Sequence, residues 1–141
     1  MVFQLSTTMI NNMLDQYEAQ MLVLAAGTPL VRLRSGTKPA TCAAAEAGGS
    51  VVIGTITLSA TDFMDAASGT KAFKLPLQIP SGAAGTLGYY RIYAANGTTC
   101  LEQGTITVTG GGGDMTVDSV TVTALQQVNI TSWIKNMSTH V

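Results

Sequence analysis

The spacing of apolar residues changes period once along this chain. Between residues 6 and 26, apolar side chains fall at Met9, Ile10, Met13, Leu14, Tyr17, Met21 and Leu22, the i, i+4, i+8 rhythm of a single helical stripe. Asn11, Asn12, Asp15, Glu18 and Gln20 take the other side. Ser6 offers a hydroxyl to an orphan N–H at the start, and Gly27 followed by Pro29 makes a stop. This pattern predicts one helix. Its stripe can pack on its own domain or serve as an arm docked on a neighbouring subunit, where flexible Met side chains fill irregular gaps.

From Pro29 the period becomes two. Val31 and Leu33 alternate with Arg32 and Arg34, and Phe73, Leu75, Leu77 and Ile79 alternate with Lys74, Pro76 and Gln78. Each reads as a half-buried strand, the second an edge or bulged one because Pro76 has no N–H to donate. Further strands are expected over 51–58, 88–94, 105–109, 116–123 and 128–134, where Val, Ile, Thr and Tyr dominate. Asn96-Gly97 suits a type I′ hairpin turn, and Gly110 to Gly113 a flexible or sharply bent crossing. The spacing predicts a mainly β chain: an antiparallel β-sandwich or jelly roll of about seven or eight strands after one N-terminal α-helix. Residues 1–28 would form a helical arm and 29–141 the β domain.

Composition sharpens this picture. Charged residues are 11% of the 141, less than half of the roughly 25% usual in soluble domains. Mean hydropathy is positive at +0.31, yet no apolar run approaches the ~18 residues that span a bilayer. A surface so poor in charge points to contact with other subunits. The seven basic and eight acidic residues are scattered and leave a net charge of -1, so no basic stripe exists for nucleic acid. No basic residue precedes Arg32, so a secretory leader is not expected, and Cys42 and Cys100 are expected as reduced thiols although they could pair.

Catalytic candidates are few. The single histidine is His140, which removes Ser-His-Asp and Cys-His arrangements and most zinc sites. Asp62 with Asp65, and Asp114 with Asp118, are the carboxylate pairs worth testing as hydrolytic or calcium-binding groups. Neither has the interleaved spacing of a calcium loop, and Asp routinely caps turns. The glycine run lacks the Lys-Ser/Thr of a phosphate loop. Tyr89, Tyr90 and Tyr93 could stack on a sugar, although aromatics clustered on a strand more often pack in a core. Three Asn-X-Ser/Thr triplets, at Asn96, Asn129 and Asn136, are read as chance. No enzyme, cofactor or metal site is expected.

The stretch Gly88 to Ile106, reading Gly-Tyr-Tyr-Arg-Ile-Tyr-Ala-Ala-Asn-Gly-Thr-Thr-Cys-Leu-Glu-Gln-Gly-Thr-Ile, and the Gly-Gly-Gly-Gly-Asp-Met-Thr-Val-Asp step of Gly110 to Asp118 resemble a family of small tailed-phage and prophage virion structural proteins. Leu33-Arg34-Ser35-Gly36 with Pro39 and Cys42 is similar to that family's opening, without its Ile-Tyr step after the arginine. The resemblance spans roughly Pro29 to Ile134 and rests on strands and turns. It implies a virion structural protein of the capsid cement (decoration) kind. Such a protein would be made in the bacterial host cytoplasm, sit on the capsid exterior, and bridge copies of the major capsid protein as a homodimer or homotrimer, with no nucleic acid or membrane partner. Alternatives are a tail or head–tail connector component, or a carbohydrate-binding or adhesin module using Tyr89, Tyr90, Tyr93 or Trp133. Met9, Met13, Leu14 and Tyr17 are the candidate subunit contact.

Overall fold

A computed structural model describes residues 4–137. Helix α1 covers Thr7–Leu24, and the Ser6 hydroxyl accepts the Met9 N–H at 3.2 Å as its cap. The chain then turns through Ala26 and Gly27, both at positive φ. Nine strands follow: β1 (Leu30–Ser35), β2 (Val52–Thr57), β3 (Thr70–Ala72), β4 (Leu77–Pro80), β5 (Gly85–Tyr93), β6 (Cys100–Val108), β7 (Met115–Val117), β8 (Thr121–Val122) and β9 (Gln127–Asn136). They form one curled mixed sheet in the order β2-β1-β5-β6-β7-β9-β3, with β4 also on β9 and β8 on β5. The ends of the curl meet, because Gly54 of β2 bridges Ser81 and the Gly82 N–H donates to the Ile53 carbonyl at 2.7 Å.

Two expected strands are not continuous. Of the 73–79 alternation only the part after Pro76, which cannot donate to a ladder, forms a strand, β4. Strand β3 ends just before the alternation at Ala72, and the two lie along successive halves of β9. The 116–123 run divides at Asp118. Its Oδ1 accepts the Ser119 and Asn129 N–H groups, which takes the chain out of the β7 ladder and sends β8 to the far end of β5. The sheet is also not purely antiparallel, since β6 and β7 run parallel in the register Ile106↔Met115. Parallel neighbours ordinarily need a crossover of a dozen residues or more. Here residues 109–114 suffice because the return is built on glycine: a Cβ on Gly111 would lie 2.7 Å from Thr107 Cβ. The β5–β6 hairpin is not type I′ either. Only Gly97 has positive φ, and Asn96 Oδ1 accepts the Thr98 and Thr99 N–H groups.

Inside the curl, Val31, Leu33, Ile53, Ile79, Tyr90, Ile92, Met115, Val117 and Trp133 are nearly or wholly buried. An aromatic row runs through the core. The rings of Phe73 and Trp133 stack at 3.7 Å, Phe63 lies 4.7 Å from Phe73, and Tyr90 meets Trp133 edge-on at 5.0 Å. Helix α1 closes one side by burying Ile10, Leu14 and Met21.

Candidate functional site

Helix α1 was the sequence's candidate contact, and its four named residues divide between two surroundings. Leu14 is buried against the chain's own sheet. Tyr17 is half-buried, packs edge-on against Phe63, and donates its hydroxyl to Glu102. Met9 and Met13 are exposed, at 50% and 43% of their full surface. The polar side of the helix is not simply a solvent face. Asn11 accepts the Gly69 N–H, Asp15 accepts the Ala66 N–H, and Asp15 and Glu18 pair with the buried Lys71 at 2.8 and 3.0 Å. The exposed stripe is therefore Met9, Met13 and Leu24, a third side of the helix. A second apolar surface is a shallow groove of about 330 Å³ between β3 and β9, rimmed by the exposed Met64, Leu75 and Ile134.

The aromatics considered for sugar stacking are all buried: Tyr89, Tyr90, Tyr93 and Trp133 keep 4% or less of their surface. A bulge explains why strand β5 hides side chains on both faces. Ser35 pairs with Leu87 but Arg34 with Tyr89, so Gly88 is the extra residue. A side chain there would collide with the Gly36 carbonyl, 1.9 Å from its Cβ position. Beyond the bulge, Tyr90 and Ile92 enter the core, while Tyr89, Arg91 and Tyr93 point to the opposite face.

That opposite face is covered by residues 37–49. The two oxygens of Glu46 are received in matched fashion. Oε1 accepts the Tyr93 hydroxyl and lies 3.4 Å from Arg91 Nη1, and Oε2 accepts the Tyr89 hydroxyl and lies 3.2 Å from Arg34 Nε. Partial burial opposes its charge, but the two phenols and two guanidiniums outweigh it and hold the carboxyl below the usual glutamate range. The covering segment is also fixed through its main chain. Arg91 Nη2 donates to the Thr41 and Ala44 carbonyls at 3.0 and 2.9 Å, and Gln103 Nε2 to the Pro39 carbonyl at 2.8 Å. Cys42 and Cys100, expected as thiols, are joined in a disulfide with Cα atoms 5.4 Å apart. The expectation of thiols rested on compartment alone. The covering segment brings Cys42 onto the start of β6, a proximity that spacing along the chain does not reveal.

A third polar cluster lies under α1, where Glu102 accepts the Tyr90 hydroxyl at 2.7 Å as well as that of Tyr17 and pairs with Lys135. Burial first, then the Glu102 charge, pushes both phenols well above their ordinary pKa. Of the tested carboxylates, three are engaged in turns. Asp62 accepts the Ser59 N–H and hydroxyl, Asp114 those of Thr105, and Asp118 the Ser119 and Asn129 N–H groups. Burial works against the charge of Asp114 and Asp118, yet these hydrogen bonds hold both below the usual aspartate range. Among the described residues no cluster of His, Cys, Asp and Glu fits a metal ion, and no helix is long and apolar enough to cross a membrane. His140 and the end of the Asn136 triplet lie outside the described residues. No family model, curated protein or solved structure matches this chain.

Proposed function

We propose that this chain is a structural subunit of a tailed-bacteriophage particle, a cement protein that sits on the capsid exterior as a homo-oligomer and bridges copies of the major capsid protein. The observation that carries the reading is how little free charge the surface keeps. Charge is already scarce at seven basic and eight acidic residues, and Arg34, Lys71, Arg91 and Lys135 are paired internally with Asp15, Glu18, Glu46 and Glu102. What remains outside includes Met9, Met13, Met64, Leu75 and Leu125. A surface of small neutral groups with scattered apolar side chains suits broad contacts that desolvate no ions. Many symmetric copies then make modest joints collectively strong. The sequence resemblance points the same way, and the curled sheet would serve as the sandwich-like or jelly-roll body of such a subunit. The disulfide agrees with residence on a released particle, because such bonds persist on virion surfaces and not in the cytoplasm.

The test is a purified particle. Density for this chain over the whole shell, together with earlier DNA loss on heating when the protein is missing, is the expected result. A single ring at one vertex or density along the tail would replace the cement reading with a connector or tail role.

A further inference from the structure

We propose that residues 37–47 are a disulfide-latched flap over a carboxylate-binding cradle, that Glu46 is the cradle's internal occupant, and that the reduced chain offers the cradle to an acidic side chain of another polypeptide. The four receiving groups do not belong to the flap. Arg34 stands on β1, and Tyr89, Arg91 and Tyr93 stand on β5, with Arg34 paired to Tyr89 in the ladder. Lifting the flap leaves them in register. Their arrangement fits a planar two-oxygen group, since each oxygen of Glu46 meets one phenol and one guanidinium. Two cations share this single carboxylate, so an emptied cradle carries excess positive charge facing the opening. The same surface also reads main chain. Arg91 and Gln103 hold three flap carbonyls, which favours a polypeptide occupant over a free small acid.

The flap is built to leave. It contains no strand, and its central residues are Ala40, Thr41, Ala43, Ala44, Ala45 and Ala47, so its burial removes little apolar area. It is hinged on Gly36 at one end and Gly48-Gly49 at the other, positions where an added Cβ would meet nothing within 4 Å. Gly36 and Gly49 have φ of +86° and +87°, a region other residues enter at a cost. One covalent link, Cys42–Cys100, joins the segment between these hinges to β6. A dithiol reductant supplies the two electrons and two protons that turn this bond into two thiols, itself becoming a cyclic disulfide. The flap is then held by polar contacts alone, for which water or another chain can substitute.

Two measurements test this on the full chain. The first follows amide hydrogen exchange of the wild-type protein before and after dithiothreitol. Exchange over residues 37–49 should rise at least tenfold while β9 keeps its protection. An unchanged flap, or loss of β9 together with the flap, overturns the latch. The second empties the cradle with E46Q, because the tethered Glu46 would otherwise compete at a high effective concentration. The probe is a labelled peptide of residues 38–50 carrying C42S. Reduced E46Q should bind it at least tenfold more tightly than the same peptide carrying E46Q as well, and the oxidised wild-type protein should bind neither. Equal binding of the two peptides, no binding to reduced E46Q, or displacement by inorganic phosphate more readily than by glutarate at equal ionic strength would overturn the carboxylate cradle. Should E46Q fail to fold, the exchange measurement on the wild-type chain still decides whether the flap opens.

Discussion

Strand β5 is covered on both faces, and different physics holds each cover. On the inner face Tyr90 and Ile92 join a core whose centre is the Phe73–Trp133 stack at 3.7 Å, so dispersion and removal of apolar area from water do the holding. On the outer face Tyr89, Arg91 and Tyr93 lie under a flap of Ala and Thr, closed by one carboxylate, three main-chain carbonyls and a disulfide. The inner cover depends mainly on shape and holds no reducible bond. The outer cover depends on charge state and a reducible bond. One strand thus joins a permanent core to a conditional lid, and each kind of perturbation should find only one of them.

The largest effect is expected at the inner face. Trp133→Ala should cost about 3–5 kcal/mol, the usual range for deleting a buried aromatic, read as a lower denaturation midpoint under oxidising and reducing conditions alike. A midpoint within error of wild type would mean that the aromatic row is not the centre of stability. Next comes the latch. The disulfide closes a loop of 58 residues, for which chain entropy gives up to about 4 kcal/mol. C42S/C100S should lose a comparable amount and become insensitive to dithiothreitol. No loss would show that the unfolded chain already holds the two segments together.

Titration separates the covers without mutation. Glu46 has a folded pKa below its unfolded value, so its contribution is present above about pH 4.3 and is lost as pH falls through the folded value. Lys71 behaves oppositely. Burial lowers its pKa, but the carboxylates of Asp15 and Glu18 outweigh that and raise it. Its contribution is present below about pH 10.4 and is lost only as pH rises through the folded value. Acid should therefore loosen the flap. It should also weaken the hold of α1 on β3, because Lys71 first of all holds the Asp15 carboxyl below the usual aspartate range. Alkali should loosen α1 from β3 and leave the carboxylate of the flap charged. Amide exchange of residues 37–49 and 7–24 between pH 3 and 11 checks this, and a flap equally protected at both ends of the range would break the contrast.

How much of this was legible from sequence follows the same division. The inner face was readable because Val31, Leu33, Ile92 and their neighbours alternate, and α1 because its apolar residues keep a helical period. The first half of β6 was not. Glu102 and Gln103 stand where a strand pattern wants apolar residues, and each is engaged instead, Glu102 with Tyr17, Tyr90 and Lys135 and Gln103 with Arg91. Buried ion pairs look like surface in a sequence, which is why the Tyr89-Arg91-Tyr93 face went unforeseen. The Cys42–Cys100 pairing stood only as the less favoured alternative, because the covering segment that brings the two together has no sequence signal. The Gly-Tyr-Tyr-Arg-Ile-Tyr run did hold a signal, since alternating Tyr and Arg opposite Tyr90 and Ile92 marks a strand with a polar but covered second face.

A position touched by neither cover should respond to backbone strain alone. Leu125 occupies the turn before β9 with φ of +67° and 89% of its surface exposed. Leu125→Gly should raise stability by about 0.5–1 kcal/mol, because glycine enters that region without a Cβ clash. A loss in the isolated protein would reveal a contact for this side chain, and the contrast between core and flap would then need a third term.

The smallest effect on stability carries the most about assembly. Met9 and Met13 share α1 with the buried Leu14 but point away from the sheet, so the helix has its own inner and outer side. Leu14→Ala should cost about 2–5 kcal/mol. M9Q/M13Q should change the stability of the isolated chain by less than about 0.5 kcal/mol, since about half of each side chain already lies in solvent. If the outer side of α1 is a subunit contact, the same double variant should weaken self-association in sedimentation and reduce occupancy on particles lacking the native protein, with no change in flap exchange. Unchanged association would remove α1 from the contact and leave the Met64–Leu75–Ile134 groove to be tested next, by M64Q/I134T under the same two readouts. A variant that loses both stability and association would instead place Met9 and Met13 among the groups that hold α1 on the sheet, so the isolated-chain measurement has to come first.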